Sequence, residues 1–196
     1  MRFIYGPIPE SGAIDPERDG WTPLRQDGIN KYVGLSVVLA VPICIAAYVD
    51  LDYIKPLIRS NPIMLALLLV CVVVMLPVHE LVHIMVFQGW WKDQHVMMGI
   101  WPSKGMWVCY DSPQPRNRLL VMSLAPLIAL SLIPLGVLSL LPIGPWTLFL
   151  NFISLLHVAA CTGDIQTFSR VIRQVPSNAV IHNKGWQSYW RVSGQQ

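Results

Sequence analysis

His79-Glu80-Leu81-Val82-His83 lies near the end of an apolar run from Pro62 to Phe87, in which His79, Glu80 and His83 carry the only charged or imidazole side chains. A run of this length and composition reads as a helix that crosses a membrane. Residues four apart on a helix share one face, a turn above one another, so the imidazoles of His79 and His83 can converge on one cation. Glu80 sits beside them, placed as the general base that takes a proton from water in a zinc-dependent hydrolysis. Ionisable groups in a hydrocarbon span cost about 2.5–3.5 kcal/mol each on insertion scales and normally mark function.

The rest of the composition agrees with a membrane setting. The 196 residues are 54% hydrophobic and 13% charged, whereas charged residues make up about a quarter of ordinary soluble domains. One integral membrane domain in a lipid bilayer is expected. A net charge of +3 is too small to indicate a nucleic-acid partner. Cys44, Cys71 and Cys161 fall in apolar stretches and Cys109 in a loop, without C-x-x-C spacing, which suggests neither a disulfide framework nor a cysteine zinc site. The first thirty residues lack the basic segment and apolar core of a cleaved signal peptide, so the first span is expected to act as an uncleaved anchor.

Around the motif, the chain divides into a polar amino-terminal segment (1–31), a core (32–168) and a polar tail (169–196). Pro and Gly residues in the first segment argue against a long helix, and Trp21 and Leu24 are expected at the membrane interface. Four spans are read at 32–49, 62–87, 119–141 and 146–168, with Pro77 expected to kink the second. Between the second and third, His95 to Trp101 and Met106 to Tyr110 flank the turn signal Pro102-Ser103-Lys104-Gly105 and predict a hairpin. The architecture expected is therefore an all-α membrane protein with about four transmembrane helices and a short membrane-associated β-hairpin after the second. Twelve of the fourteen Lys and Arg residues lie in the amino-terminal segment, the 88–118 region and the tail, which places both termini in the cytoplasm. On that orientation Glu80 lies roughly 12 Å below the cytoplasmic surface.

A catalytic zinc usually takes three protein ligands and leaves one position open. Asp164 and His157, both in the fourth span, are the candidates for the third. If that span is one continuous helix, Asp164 lies roughly 9 Å deep, close to Glu80, while His157 lies about 10 Å farther out along the axis. Depth favours Asp164 as ligand and leaves His157 as a residue that supports a ligand or lines the cavity. Asn151 is a further polar group of that span, a candidate oxyanion donor that faces away from Asp164 on an ideal helix.

These residues resemble those of the zincin peptidase family of small integral membrane proteins, and more broadly the site-2 protease type of intramembrane zinc metalloprotease. The resemblance rests on Gly20-Trp21-Thr22-Pro23-Leu24, His79-Glu80-Leu81-Val82-His83, the hairpin, Ala125-Pro126 and Thr162-Gly163-Asp164-Ile165. The Asn-Pro-Asp-Gly and Leu-Asp-Gly signatures of the better-studied site-2 proteases are missing from it. The resemblance implies Zn2+ held by His79, His83 and Asp164, Glu80 as catalytic base, and a location in a prokaryotic cell membrane. It further implies endopeptidase action on a membrane protein or peptide, which must unwind from its helix before attack and which an edge strand of the hairpin would hold extended. Two other classes fit the same residues: a non-catalytic module that retains metal while binding in the membrane, and a metal-ion carrier using His79, His83, His157 and Asp164 as a path. Glu80 discriminates, because only hydrolysis requires it.

Overall fold

The computed structural model describes residues 1–10, 12, 15–16, 18–25, 62–87, 89, 91–103 and 105–192. The span expected at 32–49 lies outside them. In chain order the elements are β1 (Arg2–Tyr5), β2 (Thr22–Pro23), α1 (Pro62–Met85), β3 (Val96–Trp101), β4 (Gly105–Tyr110), β5 (Gln114–Pro115) and α2 (Arg116–Leu127). After a π-helical segment, Ile128–Leu132, come α3 (Ile133–Leu138), α4 (Pro145–Ala160), α5 (Thr162–Gln174), β6 (Ala179–Lys184) and β7 (Gln187–Val192).

This corrects the all-α expectation: the fold is mixed α/β, with seven strands in two sheets among the described residues. One sheet has the order β1-β3-β4, with β1 parallel to β3 and the predicted β3–β4 hairpin antiparallel. The other has the order β2-β7-β6-β5, antiparallel throughout. Strand β1 is a four-residue Arg-Phe-Ile-Tyr stretch ending at a Gly-Pro pair, too short to stand out in a segment dense with breakers. Its partner, starting at Met97, is 95 residues away from Arg2. Strands β6 and β7 pair Lys184 with Gln187 across Gly185-Trp186, and Gly185 has φ +58°, as the first central residue of a tight hairpin turn requires.

The four helical spans expected are not found among the described residues. Among the described residues, two helical stretches, Leu65–Met85 (mean hydropathy 2.5) and Arg116–Leu138 (2.2), are long and apolar enough to cross a membrane, or three if the bent pair α4 and α5 counts as one. Helix α1 runs through Pro77. The second stretch contains Pro126 and Pro134, and the π segment widens it so that Ile133 N–H reaches the Ile128 carbonyl. Pro134 cannot donate to the carbonyl of Leu130, four residues before it, and crowds that turn, a misfit that a π turn accommodates. The fourth predicted span is broken: α4 ends at Ala160, Cys161 leaves helical geometry (φ −75°, ψ 5°), and α5 starts at Thr162. The Thr162 hydroxyl donates to the Ala159 carbonyl at 2.7 Å across the break.

The chain forms two compact units. A sheet unit gathers Met1–Gln26, Glu80–Ala125 and Asp164–Gln196. In it, Leu24, Leu119, Val171, Val175 and Ile181 make one core, which joins sheet and helices. Ile84 and Phe87, at the end of α1, pack with Val96, Met98 and Val108, and Phe87 stacks on Tyr110 at 4.7 Å between centroids. Trp21 and Leu24, expected at the membrane interface, are instead buried (6% and 7% exposed), with the Arg191 guanidinium 4.7 Å above the Trp21 ring. On β3, a Cβ at Gly99 would lie 2.4 Å from the Trp107 ring and 2.7 Å from the Ile4 carbonyl, so only hydrogen fits between β1 and that indole. At the start of the hairpin, Asp93 accepts from the His95 backbone N–H (2.9 Å) and from the Tyr110 hydroxyl (3.0 Å). Those bonds, the His95 amide first, hold its carboxyl below the ordinary carboxylate range.

A helical unit gathers Asp27–His79 and Pro126–Gly163. Phe149 and Ile153 of α4 pack on Leu67, Leu68, Cys71 and Met75 of α1. The opposite stripe of α1 (Leu69, Val70, Val73 and Leu76) is more than half exposed, as apolar side chains facing lipid would be.

Candidate metal centre

Helix α1 positions His79, Glu80 and His83 by its own geometry: four residues and one turn separate the two imidazoles. The boundary between the units falls between His79 and Glu80, so His83 draws its partners from the sheet unit and His79 from the helical unit.

His83 is 5% exposed. Its Nδ1 lies 2.8 Å from the Met122 carbonyl oxygen. A carbonyl only accepts, so this nitrogen carries the hydrogen and Nε2 of the neutral ring presents its lone pair. That Nε2 faces Asp164 Oδ1 at 3.3 Å. Two lone pairs at such a distance repel, and the arrangement is favourable only with a proton or a metal cation between them. An imidazole that donates its other N–H to a backbone carbonyl is the usual form of a histidine metal ligand. Imidazole nitrogen with carboxylate oxygen is a donor set that suits zinc, so the residues present fit the ion.

Asp164 lies in the first turn of α5, with its side chain 21% exposed. A carboxylate there is stabilised by the unsatisfied amides of the helix start. The break after α4 is what brings that helix start to this point in the chain. Glu80 is half-buried on α1.

In the helical unit, His79 Nδ1 lies 2.9 Å from Nε2 of His157, with the two rings tilted at 56°. His157 is 2% exposed, and its Nδ1 lies 2.7 Å from Oγ of Ser131, which is fully buried in the π segment. Cys161 Sγ lies 3.7 Å from His157 Nδ1. The expected placement of His157 about 10 Å beyond Asp164 requires one straight fourth helix, and the helix is broken at Cys161. His157 also borders a small apolar cavity of about 90 Å³ walled by Val72 and Met75 of α1 and Ile153 and Leu156 of α4. Asn151 is half-buried and lies earlier on α4, a little under two turns before His157.

Sequence reasoning missed the Met122 carbonyl and Ser131. Neither had a signal: one is backbone, and the other is a single hydroxyl inside an apolar run. Of the remaining histidines, His95 pairs with Asp93 at 3.0 Å and His182 lies in β6 beside Trp21.

Residues 72–180, more than half of the chain, match the family model described as "Putative zincin peptidase". No curated protein matches the chain and no solved structure does.

Proposed function

The chain belongs to the zincin peptidase family that residues 72–180 match, and from that premise we propose an intramembrane zinc metallopeptidase, similar in action to the site-2 proteases, that hydrolyses peptide bonds of membrane-embedded or membrane-proximal substrates. The observation that carries this reading is the His83 imidazole, tied by Nδ1 to the Met122 carbonyl and turned by Nε2 to Asp164.

In this reading His79, His83 and Asp164 hold zinc and Glu80 is the catalytic base. Bound zinc supplies Lewis acidity, which acidifies water and polarises a scissile carbonyl. The Met122 carbonyl fixes the His83 tautomer and ring plane, so that Nε2 is the coordinating atom. Asp164 supplies the negative charge that balances a dication where the dielectric is low. Glu80 receives the proton of the attacking water and returns it to the leaving amine. Its place one residue after His79 keeps it beside the ligand pair rather than among the ligands.

The apolar stripe of α1 supports a membrane location, and the distribution of basic residues supports cytoplasmic termini. The substrate is a membrane protein or peptide, and β4, an edge of its sheet, offers backbone groups to an unwound segment. The purified protein is expected to bind about one zinc per chain. Elemental analysis of the His79→Ala, His83→Ala double variant tests this: zinc retained at the native level would remove the site.

A further inference from the structure

The helical unit contains a second set of donors. His79, His157 and Cys161 each place one ligand atom within 4.8 Å of the others. His157 and Cys161 are buried and His79 is half-buried. His79 Nδ1 and His157 Nε2 are 2.9 Å apart, and Cys161 Sγ lies 3.9 Å from that same Nε2. Donors around one tetrahedral cation, with bonds of about 2.0–2.3 Å, stand roughly 3.3–3.7 Å from one another. Small side-chain shifts therefore convert this cluster into a coordination shell. Two features of the fold build it: helical spacing, with the Cys161 N–H bonded to the His157 carbonyl at 3.1 Å, sets the thiol against the imidazole one turn earlier, and the π segment sets Ser131 Oγ 2.7 Å from His157 Nδ1, the nitrogen that does not coordinate.

We propose that His79, His157 and Cys161 form a binding site for a soft, thiophilic cation such as Cd2+ or Cu+, and that filling it withdraws His79 from the zinc of the peptidase centre. Thiolate with two imidazoles selects soft cations over the harder ones that a carboxylate favours. The proton balance is simple. The cation takes lone pairs from His79 Nδ1, His157 Nε2 and the Cys161 thiolate, and the thiol proton leaves to solvent. His157 keeps its hydrogen on Nδ1, which donates to Ser131, and the His79 hydrogen that Nδ1 donated to His157 Nε2 is replaced by the cation and carried on His79 Nε2 instead, so both rings stay neutral. With hydrogen on Nε2, His79 has no lone pair there for a second metal, so one neutral imidazole cannot serve both sets. Binding of the soft cation stands on the cluster alone, and only its inhibitory consequence rests on the peptidase reading.

The test is a Cd2+ titration of the full-length purified protein loaded with one equivalent of zinc. A cadmium–thiolate absorption band is expected to saturate at one Cd2+ per chain, with zinc released in step. The band should vanish in Cys161→Ser and in Cys161→Ala and persist in Cys71→Ser and Cys109→Ser. Cys109 is a poor competitor because burial pushes its thiol up to about 11. Any cleavage activity should be at least 10-fold less sensitive to Cd2+ in Cys161→Ser than in the native protein. No band in the native protein, or a band that survives both Cys161 substitutions, would overturn the site. Zinc fully retained at saturating Cd2+ would overturn the exclusion. A native protein that binds no zinc would defeat the peptidase reading, while the band would still decide the cluster.

Discussion

Glu80→Gln is expected to abolish cleavage of a membrane substrate while leaving zinc in place. The substitution keeps the size of the side chain and its place on α1 but removes the basic oxygen that receives the proton of water. General bases contribute roughly 10²- to 10⁴-fold to such reactions, enough to take a slow intramembrane cleavage below detection. The ligands are untouched, so metal content should stay at the native level. Co-expression with candidate single-span membrane proteins, with fragments followed by immunoblot and zinc measured on the same purified samples, reads both quantities. A metal-retaining binding module or a metal carrier would be indifferent to this change. Equal cleavage by native and Glu80→Gln protein would therefore count against hydrolysis at this motif.

Asp164→Ala is expected to lower zinc affinity far more than any change at His157. Removing the carboxylate takes away one ligand and the charge that balances the dication, and it leaves His83 Nε2 without the oxygen it faces at 3.3 Å. Asp164→Asn is the more telling variant. It keeps one candidate oxygen ligand and nearly the same volume, so weakened binding reports the lost charge. At the zinc set, His157→Ala removes the hydrogen-bonding partner of His79 Nδ1, and its expected cost is about 10- to 100-fold in affinity, typical of groups behind a ligand. Competition titrations with a zinc chelator measure all three. A site emptied by His157→Ala and left intact by Asp164→Ala would reverse the ligand assignment.

The helix that bears the motif was legible because a 3.6-residue repeat and a long apolar run are local properties. Spacing alone puts His79 and His83 on one face of α1, and no tertiary contact is needed to say so. The hairpin of β3 and β4 was legible for the same reason, with its turn signal between two aromatic runs. The β1–β3 pairing was not, because it joins Arg2 to Met97 and depends on no local pattern. The β6–β7 hairpin could have been read from Gly185-Trp186 between two runs rich in β-branched and aromatic residues, but the polar side chains of those runs suggested a solvated tail. The break at Cys161 has no proline to announce it. Without that break, His157 and Asp164 lie on one ruler and are ranked by depth; with it, His157 meets His79 and Ser131 while Asp164 meets His83. Hydrophobicity read in long windows passes over short strands and single buried hydroxyls.

X-ray absorption at the zinc edge of the native protein tests the central claim most directly. Zinc held by His79, His83 and Asp164 predicts a shell of nitrogen and oxygen at about 2.0–2.2 Å, with the outer-ring scattering of two imidazoles and no sulfur. The outer-ring signal should disappear in the His79→Ala, His83→Ala double variant. A sulfur neighbour at about 2.3 Å, or a native spectrum without imidazole scattering, would contradict the account.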